Sequence, residues 1–189
     1  MLQKSSGARG YVGGVPETCI MLHSGRLFDF AAPESNEITL EDIAHGLAHT
    51  CRYAGQCDGF YSVAEHCVHV SRVVPFAELA GLFHDAAEAF MGDVSAPLKR
   101  LLPEYRALEK RVERAVFNWF GIEWPLPTEV KAADLSVMAA ELQILMPPGT
   151  NAWLQDTDIV PAKVRIARLP PDRAKALFLD RYAELRGER

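Results

Sequence analysis

The stretch FHDAAEAFMGD, Phe83 through Asp93, holds one imidazole and three carboxylates among alanines and phenylalanines. No Lys or Arg occurs between Val73 and Leu98 to balance His84, Asp85, Glu88 and Asp93. On a helix over 76–91 with His84 at the origin, Glu88 falls at about 40°, Gly81 at about 60° and Asp85 at about 100°. Leu82, Phe83, Ala86 and Phe90 gather on the other side. The imidazole and carboxylates then share one face, which Gly81 is expected to leave open to close approach. A solvated stripe is the plain alternative, but such stripes usually interleave Lys with Glu at i,i+4. An acidic face with one imidazole suits a divalent cation, which takes oxygen and nitrogen donors.

Two more residues belong to the same question. Asp134, in KAADLSVMAAE, has Val130, Val137, Met138 and Glu141 as same-face neighbours. A carboxylate in apolar surroundings is costly unless it is paired or ligates a metal. Pairing with Lys131 or a distant Arg is the competing explanation. His66 supplies a second imidazole from another helix, its plain alternative being a packed first-turn histidine.

The elements that must position these groups are mostly helices. CIMLHSGRLFDF reads as two short strands around a His23–Gly25 turn. Thr39 and Asp42 start a helix over IAHGLAHTC, and Ser62 with Glu65 forms an S-x-x-E capping box before VAEHCVHVSRVV. Pro75 separates that helix from FAELAGLFHDAAEAFM, which Gly92 ends. After a loop, DVSAPLKRLL, Pro103 opens a long amphipathic helix that stops at Gly121. Thr128 begins the next, halted by PPG, and Pro171 opens the last. The expectation is an all-α bundle of about six helices with a small N-terminal hairpin. Residues 1–17 are expected to be a flexible arm, and 18–189 a single domain.

In chain order, His66, the doublet His84-Asp85, and Asp134 form an H…HD…D pattern. YSVAEH and HDAAEAFMGDVSAPLK extend it with Glu88, Gly92-Asp93, Pro97 and Lys99 in register. This pattern resembles the HD-domain phosphohydrolases, and within them the YfbR-type nucleotidases. Phage enzymes that remove triphosphate from dATP are similar in the same segments. The likeness runs from about Asp42 to Glu141. It implies an HD-domain helical bundle with one divalent metal ion (Zn, Mn, Co, Ni, Fe or Mg) on His66, His84, Asp85 and Asp134. It further implies Glu88 and Asp93 as catalytic groups, and Arg52, Tyr53 and Lys99 as substrate-binding residues. Where the nucleotidase pattern has Trp beside the sugar this chain has Tyr53, so selectivity for deoxyribose does not carry over. A small-molecule nucleotide would be the partner, and a homodimer is the family expectation.

Composition narrows the rest. With 189 residues and 49% hydrophobic content the chain can bury a core unaided. Its net charge of -5 and pI near 5.7 argue against a nucleic-acid polymer or a membrane surface as partner. The four cysteines include no CxxC, no signal peptide is apparent, and no run approaches a membrane span, so a reduced, cytoplasmic protein is expected. The cysteines are expected to act as small core residues. Glu41, His45 and His49 share one face at i, i+4 and i+8 but lack the HExxH pattern of a metalloprotease. His69 is expected to be packed or to support a ligand. The expected activity is release of phosphate from (deoxy)nucleoside 5′-monophosphates. A triphosphohydrolase and a non-catalytic nucleotide- or metal-binding protein are the alternatives.

Overall fold

The computed structural model describes residues 11–12, 15–150 and 152–188. Two short antiparallel pairs come first, β1 (Tyr11–Val12) with β2 (Val15–Pro16) and β3 (Cys19–Met21) with β4 (Leu27–Asp29). In the second pair Ile20 stands opposite Phe28, forming the hairpin expected around His23–Gly25. The first pair lies within the segment expected to be a loose arm. Residues 1–10, 13 and 14 of that segment lie outside the described residues.

Side-chain caps fix the next two helices. Thr39 Oγ1 accepts the Asp42 N–H at 3.1 Å to start α1 (Leu40–His49), and Ser62 Oγ accepts the Glu65 N–H at 3.1 Å to start α2 (Val63–Val73). Only half of the expected capping box forms. The Glu65 carboxylate turns away and accepts the Ala167 and Leu169 N–H groups at 2.6 and 2.8 Å, tying the 161–169 segment to α2. Buried residues run without a break from Val63 to Ser71, so α2 is enclosed on all sides, by α1 and by elements further along the chain.

The helix expected over 76–91 is divided into α3 (Glu78–Phe83) and α4 (Glu88–Met91). Between them the ladder tightens, with the Ala86 N–H donating to Phe83 O at 2.8 Å and the Glu88 N–H to Asp85 O at 2.9 Å. Gly92, at φ +77°, closes α4 as expected. The segment read as a loop contains α5 (Ala96–Leu101), with Pro97 in its first turn, where a missing N–H costs nothing. α6 (Pro103–Phe120), α7 (Thr128–Leu145) and α8 (Pro171–Arg186) follow with the expected starts and stops.

Phe83, Phe117 and Phe178 are fully buried at the centre of the bundle, each contributing about 1.5–3 kcal/mol of burial. Val112, Ala115 and Phe117 of the apolar α6 stripe are core residues, with Leu108 packed against them. Gly81 does not open the site. A Cβ there would lie 2.7 Å from Val74 Cγ1 and 3.1 Å from Ser71 Cα, so the glycine lets α3 lie against the end of α2. Among the described residues no helix is long and apolar enough to cross a membrane.

Candidate metal centre

Three elements bring the four expected ligands together. His66 projects from α2, His84 and Asp85 from the tight turn after α3, and Asp134 from α7. His66, His84 and Asp85 each offer one ligand atom, all within 4.8 Å of one another. The two Nε2 atoms stand 3.3 Å apart. Asp85 Oδ2 is 3.2 Å from His84 Nε2, and Asp134 Oδ1 is 3.2 Å from His66 Nε2 and 3.9 Å from His84 Nε2. The other oxygen of Asp134 is 2.6 Å from Lys131 Nζ, so this carboxylate serves both its cluster and the local pair.

Whether a cation fits follows from the far side of each ring. His66 Nδ1 lies 2.6 Å from Glu141 Oε1, and His84 Nδ1 lies 2.9 Å from the Gly81 carbonyl. Both Nδ1 atoms are therefore assigned as donors, which leaves both Nε2 lone pairs facing inward. Two lone pairs and two carboxylates then converge, with Arg52 Nη1 reaching Asp85 Oδ2 from one side, an arrangement that a proton or a cation at its centre would satisfy. Burial opposes a charge on His84, but Asp85 beside it raises its pKa well above the usual imidazole range. Burial likewise opposes ionisation of Asp85 and Asp134, and the neighbouring imidazoles hold both carboxyls well below the ordinary range. A divalent ion bound by two imidazoles and two carboxylates satisfies all four groups.

Glu141 organises the ground beneath this cluster. It is fully buried, and it accepts from His66, from Tyr53 OH at 2.7 Å, from Tyr61 OH at 2.9 Å and from Arg52 Nε at 3.2 Å. Burial raises the cost of its charge, and His66 and Arg52 offset that cost, keeping its pKa well below normal. Arg52 Nη1 also reaches Asp85 Oδ2 at 3.5 Å. The turn carrying Arg52 has Tyr53 and Ala54 in the left-handed region, at φ +57° and +51°. Asp93 Oδ2 anchors it by accepting the Tyr53 N–H at 3.1 Å.

Glu88 begins α4, with only 7% of its surface exposed. Its Oε1 is 3.5 Å from Lys99 Nζ, and its Oε2 is buried without a hydrogen-bond partner. Burial, with Asp85 and Asp93 nearby, pushes the Glu88 pKa well above the ordinary carboxyl range. Lys99 is held between Glu88 and Glu109, the latter at 2.5 Å.

Two cavities meet at the cluster, and Asp85 and Asp134 line both. One, of about 340 Å³, is bounded by Arg52, Tyr53, Asp93 and Lys99. The other, of about 370 Å³, runs from His84 along Glu113, Phe117, Trp124 and Leu126. The site is thus a metal-type donor set between a pocket of mixed charge, carrying Arg52 and Lys99 beside Asp85, Asp93 and Asp134, and an aromatic one.

No family model matches the chain. It is 36% identical over 169 residues to the Escherichia coli (strain K12) protein named Uncharacterized protein YfdR, covering 88% of this chain and 94% of that one. The chain belongs to the YfdR family. Another relative is an uncharacterized protein of Rhodobacter capsulatus, 40% identical over 121 residues, covering 58% of this chain and 62% of that one. Neither relative's name states an activity.

Within this YfdR-family chain, eight of the nine residues singled out in the sequence lie at the cluster or line the cavity bounded by Arg52 and Lys99, and Glu88 meets that cavity's wall through Lys99. The residues missed are Glu141, Tyr61 and Glu109. Glu141 had a visible signal, since it is an acid seven positions after Asp134 on one helix face, flanked by Ala139, Ala140 and Leu142 with no adjacent cation. Tyr61 and Glu109 had none. His45 stacks between His23 and His49, with ring centroids 3.8 and 4.1 Å apart, and Glu41 pairs with Lys175 at 2.7 Å. His69 is buried, with its Nε2 3.7 Å from Glu65 Oε1, on the side of α2 that meets the 161–169 segment.

Proposed function

We propose that this chain is a metal-dependent phosphohydrolase of the HD-domain type, releasing phosphate from (deoxy)nucleoside 5′-monophosphates. The observation that carries the reading is the inward-facing set of His66, His84, Asp85 and Asp134 directly beside the buried guanidinium of Arg52. A donor set without an adjacent cation would suit storage or structure. One with a buried arginine beside it and Lys99 on the same cavity wall suits an anionic ligand at the metal.

When bound, a divalent cation at such a site polarises a phosphoryl oxygen and makes water more acidic. The protein groups supply the rest. Glu141 fixes Arg52 through Nε, leaving the guanidinium to orient the phosphate, and Lys99 adds positive charge across the same cavity. Asp93 holds the Tyr53 turn in place. Burial, with Asp85 and Asp93 nearby, raises the Glu88 pKa and favours its protonated form, which suits it to donate to the departing 5′ oxygen. The cavity walled by Phe117, Trp124 and Leu126 offers flat apolar surface to a base and sugar.

The test is phosphate release by the purified chain with Mn2+, Co2+ or Mg2+ across nucleoside mono- and triphosphates. Orthophosphate from monophosphates is expected. Inorganic triphosphate from nucleoside triphosphates would replace the product assigned. Nucleotide binding with no release under any metal would leave a binding protein and sink the enzymatic reading.

A further inference from the structure

Cys51 and Cys57 bracket the turn that carries Arg52 and Tyr53, and their sulfurs lie 3.9 Å apart. A disulfide needs the sulfurs about 2 Å apart, so closure asks for a movement of roughly 2 Å. Cys57 is buried, and its thiol donates to Gly59 O at 3.3 Å. Cys51 is partly exposed and is the thiol a solute meets first. Around them, backbone bridges hold the base of the turn. Cys51 pairs with Ser62, and the Arg52 N–H donates to Tyr61 O at 2.9 Å. The turn itself is strained, because Tyr53 and Ala54 sit consecutively at positive φ. Each such residue costs about 1–3 kcal/mol and persists only while surrounding contacts over-determine it. Those contacts are the bonds from Arg52 and Tyr53 to Glu141, Asp85 and Asp93.

We propose that Cys51 and Cys57 are a reversible oxidation site whose disulfide withdraws Arg52 from the metal cluster. The oxidant is a peroxide. The Cys51 thiolate attacks one peroxide oxygen, the O–O bond breaks, and Cys51 becomes a sulfenic acid with release of water from hydrogen peroxide. The Cys57 thiolate then attacks the sulfenic sulfur, the S–S bond forms, and the hydroxyl leaves as a second water. Two thiols are oxidised by two electrons, and one peroxide is reduced. Closing the ring draws Cys57 toward Cys51, which its bridge to Ser62 holds, and so compresses the turn between them. The strained turn then yields before the bridged base does, and a guanidinium displaced by about 1 Å is enough to slow a positioned reaction severely. A dithiol reverses the change by exchange.

The site is independent of the activity proposed above, but its consequence rests on that activity, and the test separates them. The full chain is treated with hydrogen peroxide, then its free thiols are counted under denaturing conditions and its peptides mapped by mass spectrometry. Two of four thiols should disappear into a Cys51–Cys57 linked peptide and return with dithiothreitol. In Cys57→Ser, a dimedone adduct should accumulate on Cys51 instead. Retention of all four thiols, or linkage through Cys19 or Cys67, overturns the proposal even if phosphate is released normally. Where the chain hydrolyses nucleotides, the oxidised form should lose about tenfold or more in kcat/KM. Cys51→Ser should be insensitive to peroxide. A quantitative disulfide with kcat/KM unchanged overturns the control of Arg52. A disulfide in a chain that hydrolyses nothing leaves the oxidation site standing and counts against the phosphohydrolase alone.

Discussion

His66 Nδ1 stands 2.6 Å from Glu141 Oε1, and neither side chain is exposed to solvent. This contact sets the ring's tautomer and so determines that Nε2, not Nδ1–H, faces the cluster. Glu141→Gln keeps the volume but replaces a charged acceptor with an amide. Metal affinity is expected to fall by about 10–100-fold, measured by competition with a chromophoric chelator. Glu141→Ala also strips the buried Arg52 of its Nε partner. It should cost about 3–5 kcal/mol of stability in urea denaturation. Unchanged metal affinity in the Gln variant would show that the His66–Glu141 contact does not tune the site.

Metal should also be visible as stability. The four inward-facing acceptors are complete only in the folded chain, so a bound ion favours folding by mass action. At a free metal concentration 100 times Kd the gain is about 2.7 kcal/mol, read as a higher Tm by calorimetry. The same addition to His84→Ala should move Tm far less. An equal shift in both proteins would place the ion elsewhere.

Glu88→Gln preserves shape and the contact with Lys99 but has no acidic proton to give. Turnover is expected to drop by about 10²–10⁴-fold with metal content unchanged. The paired measurements matter, because loss of both would make Glu88 a support for the metal instead of a proton donor.

Local chemistry explains what could be read from the chain. The Thr39 and Ser62 caps, the Gly92, Gly121 and PPG stops, and the Pro103 and Pro171 starts act over three or four residues, and they appear where expected. His84, Asp85 and Glu88 stood out because an imidazole and acids without neighbouring cations are costly to bury, whereas His66 and Asp134, the latter with Lys131 one turn away, were joined to them by the H…HD…D resemblance. The break after Phe83 was not legible, because it goes with a His84 ring that donates from Nδ1 to the Gly81 carbonyl while its Nε2 faces His66 on another helix, a partner the local sequence does not show. Glu65 reads locally as a capping-box partner, yet its carboxylate serves residues more than a hundred positions away. Gly81 reads as an open face and is a packing contact. In each case the error is a short-range interpretation of a side chain whose partner is distant.

Glu113, on the wall of the aromatic cavity, gives a pH prediction away from the ligands. Burial, reinforced by Glu109 and Asp85, raises its pKa from 4.5 to about 7. Between those values the folded chain keeps a proton that the unfolded chain releases, so this group lowers stability as pH rises through the window. Glu113→Gln should therefore stabilise the chelator-treated protein at pH 8, by about 1 kcal/mol after allowing for screening on its exposed side. The advantage should vanish near pH 4.5. Urea midpoints at both pH values test this, and a constant difference would assign the effect to packing.

Gly46 offers the sharpest test of how the fold positions Glu88. On α1 it faces α4, where an added Cβ would run into the Ala89 carbonyl oxygen and come within 2.8 Å of the Ala89 Cα. Backbone stands on that side, so no change of rotamer relieves the clash. In an exposed helix Gly→Ala would gain about 1 kcal/mol. Here overpacking should dominate and leave Gly46→Ala less stable by about 1–3 kcal/mol, read as a lower urea midpoint. Because Ala89 follows Glu88 directly, displacement of α4 also moves the carboxyl that lies against Lys99. Turnover should fall while His66, His84, Asp85 and Asp134, carried by other segments, still bind metal with nearly unchanged affinity. A midpoint equal to or above that of the parent chain would mean that α1 and α4 are not held at this close approach.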